Sequence, residues 1–157
     1  MDDVVVDTNV FVHSNNPQEE TYAASRQLVE KISNCSAKLC LDEGFHTDPA
    51  KNRSKIGYEY IKHVRHGSLA FALILKLVTQ QRIRILPCKV DARSKKIICQ
   101  KIRKPPDRVF LSVAINSLER TLVSHDFEDF SDQKRVYLKN ELNVGVITAS
   151  EAVPLFP

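Results

Sequence analysis

Short apolar runs alternate with longer helical patterns along the whole chain. Five of the runs are rich in aliphatic residues and have the length of buried strands. They are Val4–Val6, Ala37–Leu41, Ile83–Leu86, Leu122–Ser124 and Val144–Thr148. Helical patterns separate these runs, and that alternation is typical of a parallel sheet with right-handed crossovers. We therefore predict an α/β fold, a three-layer sandwich with a central parallel five-stranded sheet flanked by helices.

Capping residues followed by proline, and the helical spacing of apolar residues, predict where the helices lie. Asn16-Pro17 and Asp48-Pro49 each offer a cap followed by a proline, which predicts helix starts there. The helices they begin reach about residue 33 and about residue 65. Further helices are predicted over Leu69–Gln80, over Asp91–Arg103, after Pro105-Pro106, and, as a short turn or helix, over Ala149–Leu155.

Length and composition fit one globular domain. The chain has 157 residues, and 43% of them are hydrophobic, which argues against general disorder. We therefore expect a single domain over residues 1–157. No apolar run approaches the ~20 residues of a membrane span, and the acidic start lacks the basic region of a secretory signal. These features favour a cytoplasmic protein without a membrane partner, and we expect its four cysteines to be free, buried thiols.

Positive charge is concentrated in the second half of the chain. Residues 1–80 carry 9 basic and 10 acidic side chains, whereas residues 81–157 carry 14 basic and 9 acidic ones. Within residues 89–104 the only acid is Asp91. Such a stretch indicates a polyanionic partner, most often nucleic acid, although a solvated helix face explains it equally well.

Two aspartates follow predicted strands. Asp7 comes directly after Val4–Val6, and Asp126 follows Leu122–Ser124. Ligands of open parallel sheets bind at the carboxyl ends of strands, so both acids would face one crevice if the strands are neighbours. Clustered carboxylates repel one another and suit hard cations such as Mg²⁺ or Mn²⁺. For either residue alone, a turn or helix cap is the alternative.

Four segments together resemble the PIN-domain ribonucleases, in particular the VapC-like PIN family. Residues Val4–Val12 resemble the opening strand of that family, and Val146–Ala152 is similar to its last strand and turn. Asp107–Ala114 and Thr121–Phe130 look like the third and fourth acidic motifs. Their order and spacing cover essentially the whole chain.

The resemblance implies a PIN-like fold and a Mg²⁺- or Mn²⁺-dependent endoribonuclease that hydrolyses RNA phosphodiesters through metal-activated water. The catalytic and metal-binding acids that it implies are Asp7, Glu59, Asp107 and Asp126. The polar residues that it places around them are Thr8, Asn9, Ser124 and Asp129. The cations expected to hold RNA phosphates beside the acids are Lys95, Lys96, Lys101, Arg103, Lys104 and Arg108.

The second acid of the site has alternatives. Ile56–Tyr60 resembles a family variant in which an acid–Tyr pair lies on the helix after the second strand, and this favours Glu59. Asp42-Glu43, directly after a predicted strand, is the competing choice. Glu59 also shares a helical face with His63 and His66, which is a second way to bind a metal ion.

The resemblance also suggests partners. Small PIN proteins are often toxins of a toxin–antitoxin pair, so an antitoxin or another inhibitory protein is an expected partner, beside the RNA substrate. Such proteins commonly pair up, which predicts a homodimer. The alternative function is a catalytically inactive PIN-like module that binds RNA or a protein without cutting.

Overall fold

Five parallel strands form the central sheet of the computed structural model, which describes residues 1–157. The strands are β1 Asp3–Val6, β2 Lys38–Asp42, β3 Ile83–Leu86, β4 Thr121–Val123 and β5 Gly145–Ile147. Their order is β3-β2-β1-β4-β5, and every neighbouring pair is parallel. Strand order therefore reverses at β1, which brings the carboxyl ends of β2, β1 and β4 side by side. The predicted parallel five-stranded sheet is confirmed.

Eight α-helices pack on this sheet. They are α1 Thr8–His13, α2 Tyr22–Asn34, α3 Lys55–His63, α4 Leu69–Thr79, α5 Ala92–Lys101, α6 Pro105–Asn116, α7 Asp132–Leu142 and α8 Ala149–Ala152, and a 3₁₀ turn covers Val153–Leu155. α2 packs against α4 and α8, whereas α6 packs against α3 and α5. The sheet thus lies between helical layers, as predicted for an α/β sandwich.

Two predicted helix starts are wrong. The side-chain Oδ1 of Asn16 accepts from the amide of Gln18, and the Asp48 carboxylate accepts from the amide of Ala50, so both residues close local turns. α2 begins only at Tyr22 and α3 only at Lys55. Asn and Asp serve a turn as readily as a helix cap, and here each side chain finds its donor two residues ahead.

Helix α1 follows β1 directly and was not predicted. Its six residues include Val10 and Phe11, which are fully buried. A β-branched run usually favours a strand, but here tertiary packing overrides that preference. The short helix turns the chain sharply away from β1 and leaves Asp7 at the junction between strand and helix.

The core joins the sheet to both helical layers. All four residues of β1 are fully buried, and the aromatic rings of Phe11, Tyr60 and Phe110 meet beside it. The four cysteines are free, as predicted, but only Cys40 is buried. None of the helices combines the length and the apolar character that crossing a membrane requires.

Candidate functional site

Asp7 lies where β1 ends and α1 begins. The register pairs Val6 with Val123, so Ser124, the residue that follows β4, comes beside Asp7. The Asp7 carboxylate accepts from Ser124 Oγ at 2.6 Å and from Asn9 Nδ2 at 2.8 Å. The pKa of Asp7 is raised to about 6, chiefly by burial and less by the charge of Asp126, while hydrogen bonds from the Ser124 hydroxyl and the Asn9 backbone amide lower it.

Asp107 lies in the first turn of α6, directly after Pro105-Pro106. Its side chain is buried, and its Oδ2 atom has no hydrogen-bond partner. Burial and, to a smaller extent, the negative charges of Asp7, Asp126 and Asp129 together raise the pKa of Asp107 to about 8. A buried carboxylate oxygen without a donor is costly, so this position is poised for a cation or a proton.

Asp126 and Asp129 hold the loop after β4. Asp126 Oδ1 accepts from the backbone amides of Glu128 at 2.9 Å and Asp129 at 2.8 Å. Asp129 is buried, and its Oδ2 accepts from the backbone amide of Lys104 at 2.6 Å. This bond fixes the loop to the residue that caps α6. We call Asp7, Asp107, Asp126 and Asp129 the aspartate cluster.

The Lys104 ammonium is the cation of the aspartate cluster. It is ion-paired with Asp126 and lies 3.4 Å from a carboxylate oxygen of Glu128. Burial disfavours the Asp126 anion, but Lys104 and the amides of Asp129 and Glu128 outweigh burial and lower the pKa of Asp126. The same ammonium opposes the rise of the Asp107 pKa. Sequence reasoning placed Lys104 among residues that grip phosphate, whereas the structure pairs it with a predicted metal ligand.

Glu59 takes no part in the ion pairs between Lys104 and the acids of the loop after β4. Its carboxylate is 3.5 Å from His63 Nε2, and it lines a cavity of about 510 Å³ together with Pro105 and Pro106, the residues that precede Asp107. His66, the third member of the alternative metal site on α3, stacks on the ring of Phe71.

The alternative second acids have other surroundings. The buried Asp42 carboxylate accepts from Ser54 Oγ and from the amides of Lys55 at 2.8 Å and Ile56 at 2.9 Å. Asp42 therefore caps α3 from the end of β2, which occupies both of its oxygens. Glu43 is exposed.

In their present positions, the acidic side chains do not form a complete metal-binding site. Nowhere in the structure do three His, Cys, Asp or Glu side chains come close enough together to hold a metal ion. The donor chemistry nonetheless fits Mg²⁺ or Mn²⁺, because both prefer carboxylate oxygens and Asp107 offers a buried, unpartnered one. Burial is the largest cause of the raised pKa values of Asp7 and Asp107, and the charges of neighbouring carboxylates add to it.

Two of the smaller polar residues named from the sequence, Ser124 and Asn9, contact Asp7 directly. Ser124 Oγ donates to Asp7 and accepts from the amide of Asp126 at 3.0 Å. Asn9 donates to Asp7 and accepts from the amide of His125 at 3.1 Å. Thr8 Oγ1 is buried and has no partner. Ser124 and Asn9 therefore tie Asp7 to the loop that carries Asp126.

A histidine pair beside the cluster was missed by the sequence reasoning. The Nδ1 atoms of His13 and His125 are 3.2 Å apart, and His125 Nε2 accepts from the amide of Ala149. Burial lowers the pKa of His125 to about 4, with a smaller effect of His13, so the ring is neutral at pH 7. The two residues are 112 positions apart, and only the neighbouring places of β1 and β4 in the sheet could have indicated their contact.

The predicted RNA-binding cations have different immediate surroundings. Arg103 pairs with Glu128, and Lys101 Nζ lies 4.6 Å from the centre of the Tyr137 ring. Lys96 is exposed on α5. Lys95 and Arg108 instead line a second cavity, of about 450 Å³, between α5 and α6.

Comparisons with known proteins leave the family open. No protein-family model and no curated protein matches the chain. Among solved structures it is similar to a chain in the crystal structure of VapBC2 from Rickettsia felis bound to a DNA fragment from their promoter. The match has a TM-score of 0.44 and 15% identity, and it covers 93% of this chain and 98% of that one. At this level of similarity the neighbour assigns neither a family nor an activity to this chain.

Proposed function

We propose that this protein is a divalent-metal-dependent ribonuclease whose acidic site is the aspartate cluster. The observation that carries the proposal is the buried Asp107 carboxylate, which has an unpartnered oxygen and raised pKa beside the charges of Asp7 and Asp126. Repulsion between these carboxylates is unfavourable for folding unless a cation binds among them. The resemblance of the surrounding segments to PIN-domain ribonucleases supports the same function.

Each group of residues at the site would have its own role in the proposed reaction. Asp7, Asp107 and Asp126 would hold Mg²⁺ or Mn²⁺, with Glu59 as the proposed fourth acid. Such an ion activates water and neutralises charge on a phosphodiester. The hydrogen bonds from Ser124 and Asn9 would keep Asp7 ionised and oriented.

Binding of an ion requires a rearrangement at Lys104. Its ammonium pairs with Asp126, so Asp126 would have to exchange that partner for the metal ion. The same contact favours the rival function, a module that binds RNA or a protein without cutting, because a lysine already neutralises part of the cluster. Metal-dependent cleavage separates the two functions.

The test is cleavage of single-stranded RNA by the purified protein. We expect cleavage with Mn²⁺ or Mg²⁺, none with EDTA, and a loss of at least ~100-fold in Asp7→Asn and Asp126→Asn. The matched control is Asp132→Asn, which changes an exposed acid in the first turn of α7 and should cleave normally. Unchanged cleavage in both site variants would exclude these residues, and no cleavage by the wild type would favour the binding module.

The predicted toxin role, inhibitory partner, homodimer and cytoplasmic location stay predictions. Copurification of a small protein that blocks the cleavage would support the toxin–antitoxin prediction.

A further inference from the structure

Basic residues from four segments of the chain line the cavity between α5 and α6. Its volume is about 450 Å³, which falls in the ~300–1,000 Å³ range of small-ligand sites. The basic residues are Lys55 on α3, Lys89 in the loop after β3, Lys95 on α5 and Arg108 on α6. No acidic residue lines the cavity. We call it the α5–α6 cavity.

None of these four cations has an acidic partner elsewhere in the structure. Every ion pair of the chain involves another basic residue. The Arg108 guanidinium donates only to backbone carbonyls, from Nε to Ile102 at 2.7 Å and from Nη2 to Arg103 at 3.2 Å. Positive charges that gather without a counter-ion repel one another, and a multiply charged anion relieves that repulsion.

Much of the remaining wall of the α5–α6 cavity is apolar. Val90, Ile98 and Val109 contribute to it; Ile98 is buried, and the two valines are half-buried. A ligand that fits this cavity therefore has an anionic end for the cations and an apolar body for the wall. Three of the four cations are lysines, whose compact ammonium groups suit the concentrated charge of a phosphate.

The α5–α6 cavity differs from a surface that follows a nucleic-acid chain. No aromatic side chain lines it, so it offers no ring on which successive bases could stack. None of the acids of the aspartate cluster lines it either. We therefore expect its occupancy to be independent of metal binding and of cleavage at the cluster.

We propose that the α5–α6 cavity is a separate binding site for one small phosphorylated ligand with an apolar body, the class to which free mononucleotides belong. The phosphate end lies among Lys55, Lys89 and Lys95, and the body packs against Val90 and Val109. The site goes beyond the proposed nuclease function, because it takes a free small molecule and not an RNA chain.

The test uses the thiol of Cys99 as a reporter inside the cavity. Cys99 lines the cavity and is exposed, whereas Cys35 does not line it and serves as the internal comparison. The uncharged reagent N-ethylmaleimide alkylates free thiols, and mass spectrometry of peptides gives the rate at each cysteine. The probe is adenosine diphosphate in EDTA, and adenosine is the uncharged comparison ligand.

Two double variants separate the cavity from the general charge of the protein. Lys89→Gln/Lys95→Gln removes two cations that line the cavity. The matched control Lys96→Gln/Lys139→Gln removes two exposed lysines that do not line it. Both variants lower the net charge equally, and circular dichroism verifies that both are folded. The concentration of probe that gives half-maximal protection is compared, because it does not depend on the intrinsic reactivity of the thiol.

We expect saturating adenosine diphosphate to slow alkylation of Cys99 about tenfold, with Cys35 unchanged and adenosine without effect. The half-maximal concentration should rise about tenfold in the cavity variant and stay within about twofold of wild type in the control. Unchanged alkylation of Cys99, equal protection by adenosine, or an equal rise in both variants would overturn the proposal.

A single-stranded RNA without a terminal phosphate is the last competitor. We expect it to protect Cys99 less well than adenosine diphosphate does. Protection by this RNA at lower concentration would overturn the proposal, because it would indicate a nucleic-acid surface and not a small-ligand site. Since all of these measurements are made in EDTA, their result and the result of the cleavage assay are independent of each other.

Discussion

Replacing Asp107 by Asn should make the metal-free protein more stable at alkaline pH. The pKa of this buried carboxyl is raised from 3.8 to about 8, so the fold disfavours its ionised form. A raised pKa of an acid contributes stability that is complete below about pH 4 and is lost as the pH rises to about 8. The substitution removes that loss because an amide does not ionise.

The size of the effect follows from the pKa difference. At 1.36 kcal/mol per pH unit, the difference between 3.8 and about 8 corresponds to a ceiling of about 6 kcal/mol above pH 8. A buried amide that is incompletely hydrogen-bonded costs about 1–3 kcal/mol in return. We therefore expect Asp107→Asn to be about 3–5 kcal/mol more stable than wild type at pH 9, and close to wild type at pH 5.

Urea unfolding followed by circular dichroism, in EDTA at pH 5 and pH 9, measures this difference. The control is Asp132→Asn, an exposed acid in the first turn of α7. It should lose about 0.3–1 kcal/mol at both pH values, because it removes only a favourable interaction with the helix dipole. If Asp107→Asn is less stable than wild type at pH 9, or differs from it equally at both pH values, the electrostatic account of Asp107 is wrong.

Three other substitutions test the neighbours of the cluster. Ser124→Ala should raise the pKa of Asp7 above about 6 in a carboxyl NMR titration, because the hydrogen bond that stabilises the anion is lost. Lys104→Met should raise the pKa of Asp126 and strengthen Mn²⁺ binding several-fold in calorimetry, because the ammonium competes with the ion. Asp42→Asn should cost about 1–3 kcal/mol in urea unfolding but leave Mn²⁺ affinity unchanged, because Asp42 caps a helix.

Each of these variants has a control. Ser112→Ala loses only a bond to a backbone carbonyl of its own helix, Lys101→Met changes a lysine that rests on Tyr137, and Glu43→Gln changes an exposed acid. If a control changes the measured pKa, Mn²⁺ affinity or stability as much as its variant does, the role assigned to the variant's residue is wrong. Weaker Mn²⁺ binding in Asp42→Asn would reopen the choice of Asp42 as the second acid.

The fold followed from the apolar runs because a buried parallel sheet needs them. The run Ile83–Leu86 forms β3 with the predicted bounds, and Val4–Val6 lies within β1. The predicted helix starts at Asn16 and Asp48 are wrong because the same residue types serve as helix caps and as turn residues. Helix α1 was not predicted because its β-branched residues favour a strand and are helical here only through their tertiary packing.

The strand ends indicated where two of the predicted acids lie, but the sequence did not indicate how their charges are paired. Asp7 and Asp126 could be placed by strand ends, since parallel neighbours end at the same edge of a sheet. Lys104 could not be assigned to Asp126, because that contact depends on how the loop after β4 meets the start of α6.

The most direct test is a crystal of this protein soaked in Mn²⁺ and measured at a wavelength at which Mn scatters anomalously. We predict an anomalous peak about 2.1 Å from carboxylate oxygens of Asp7 and Asp107, with Lys104 displaced from Asp126. The same map would show whether Glu59 joins the site. A fully soaked crystal without a peak at the aspartate cluster, or with Mn²⁺ only at surface carboxylates, would contradict the metal-dependent function.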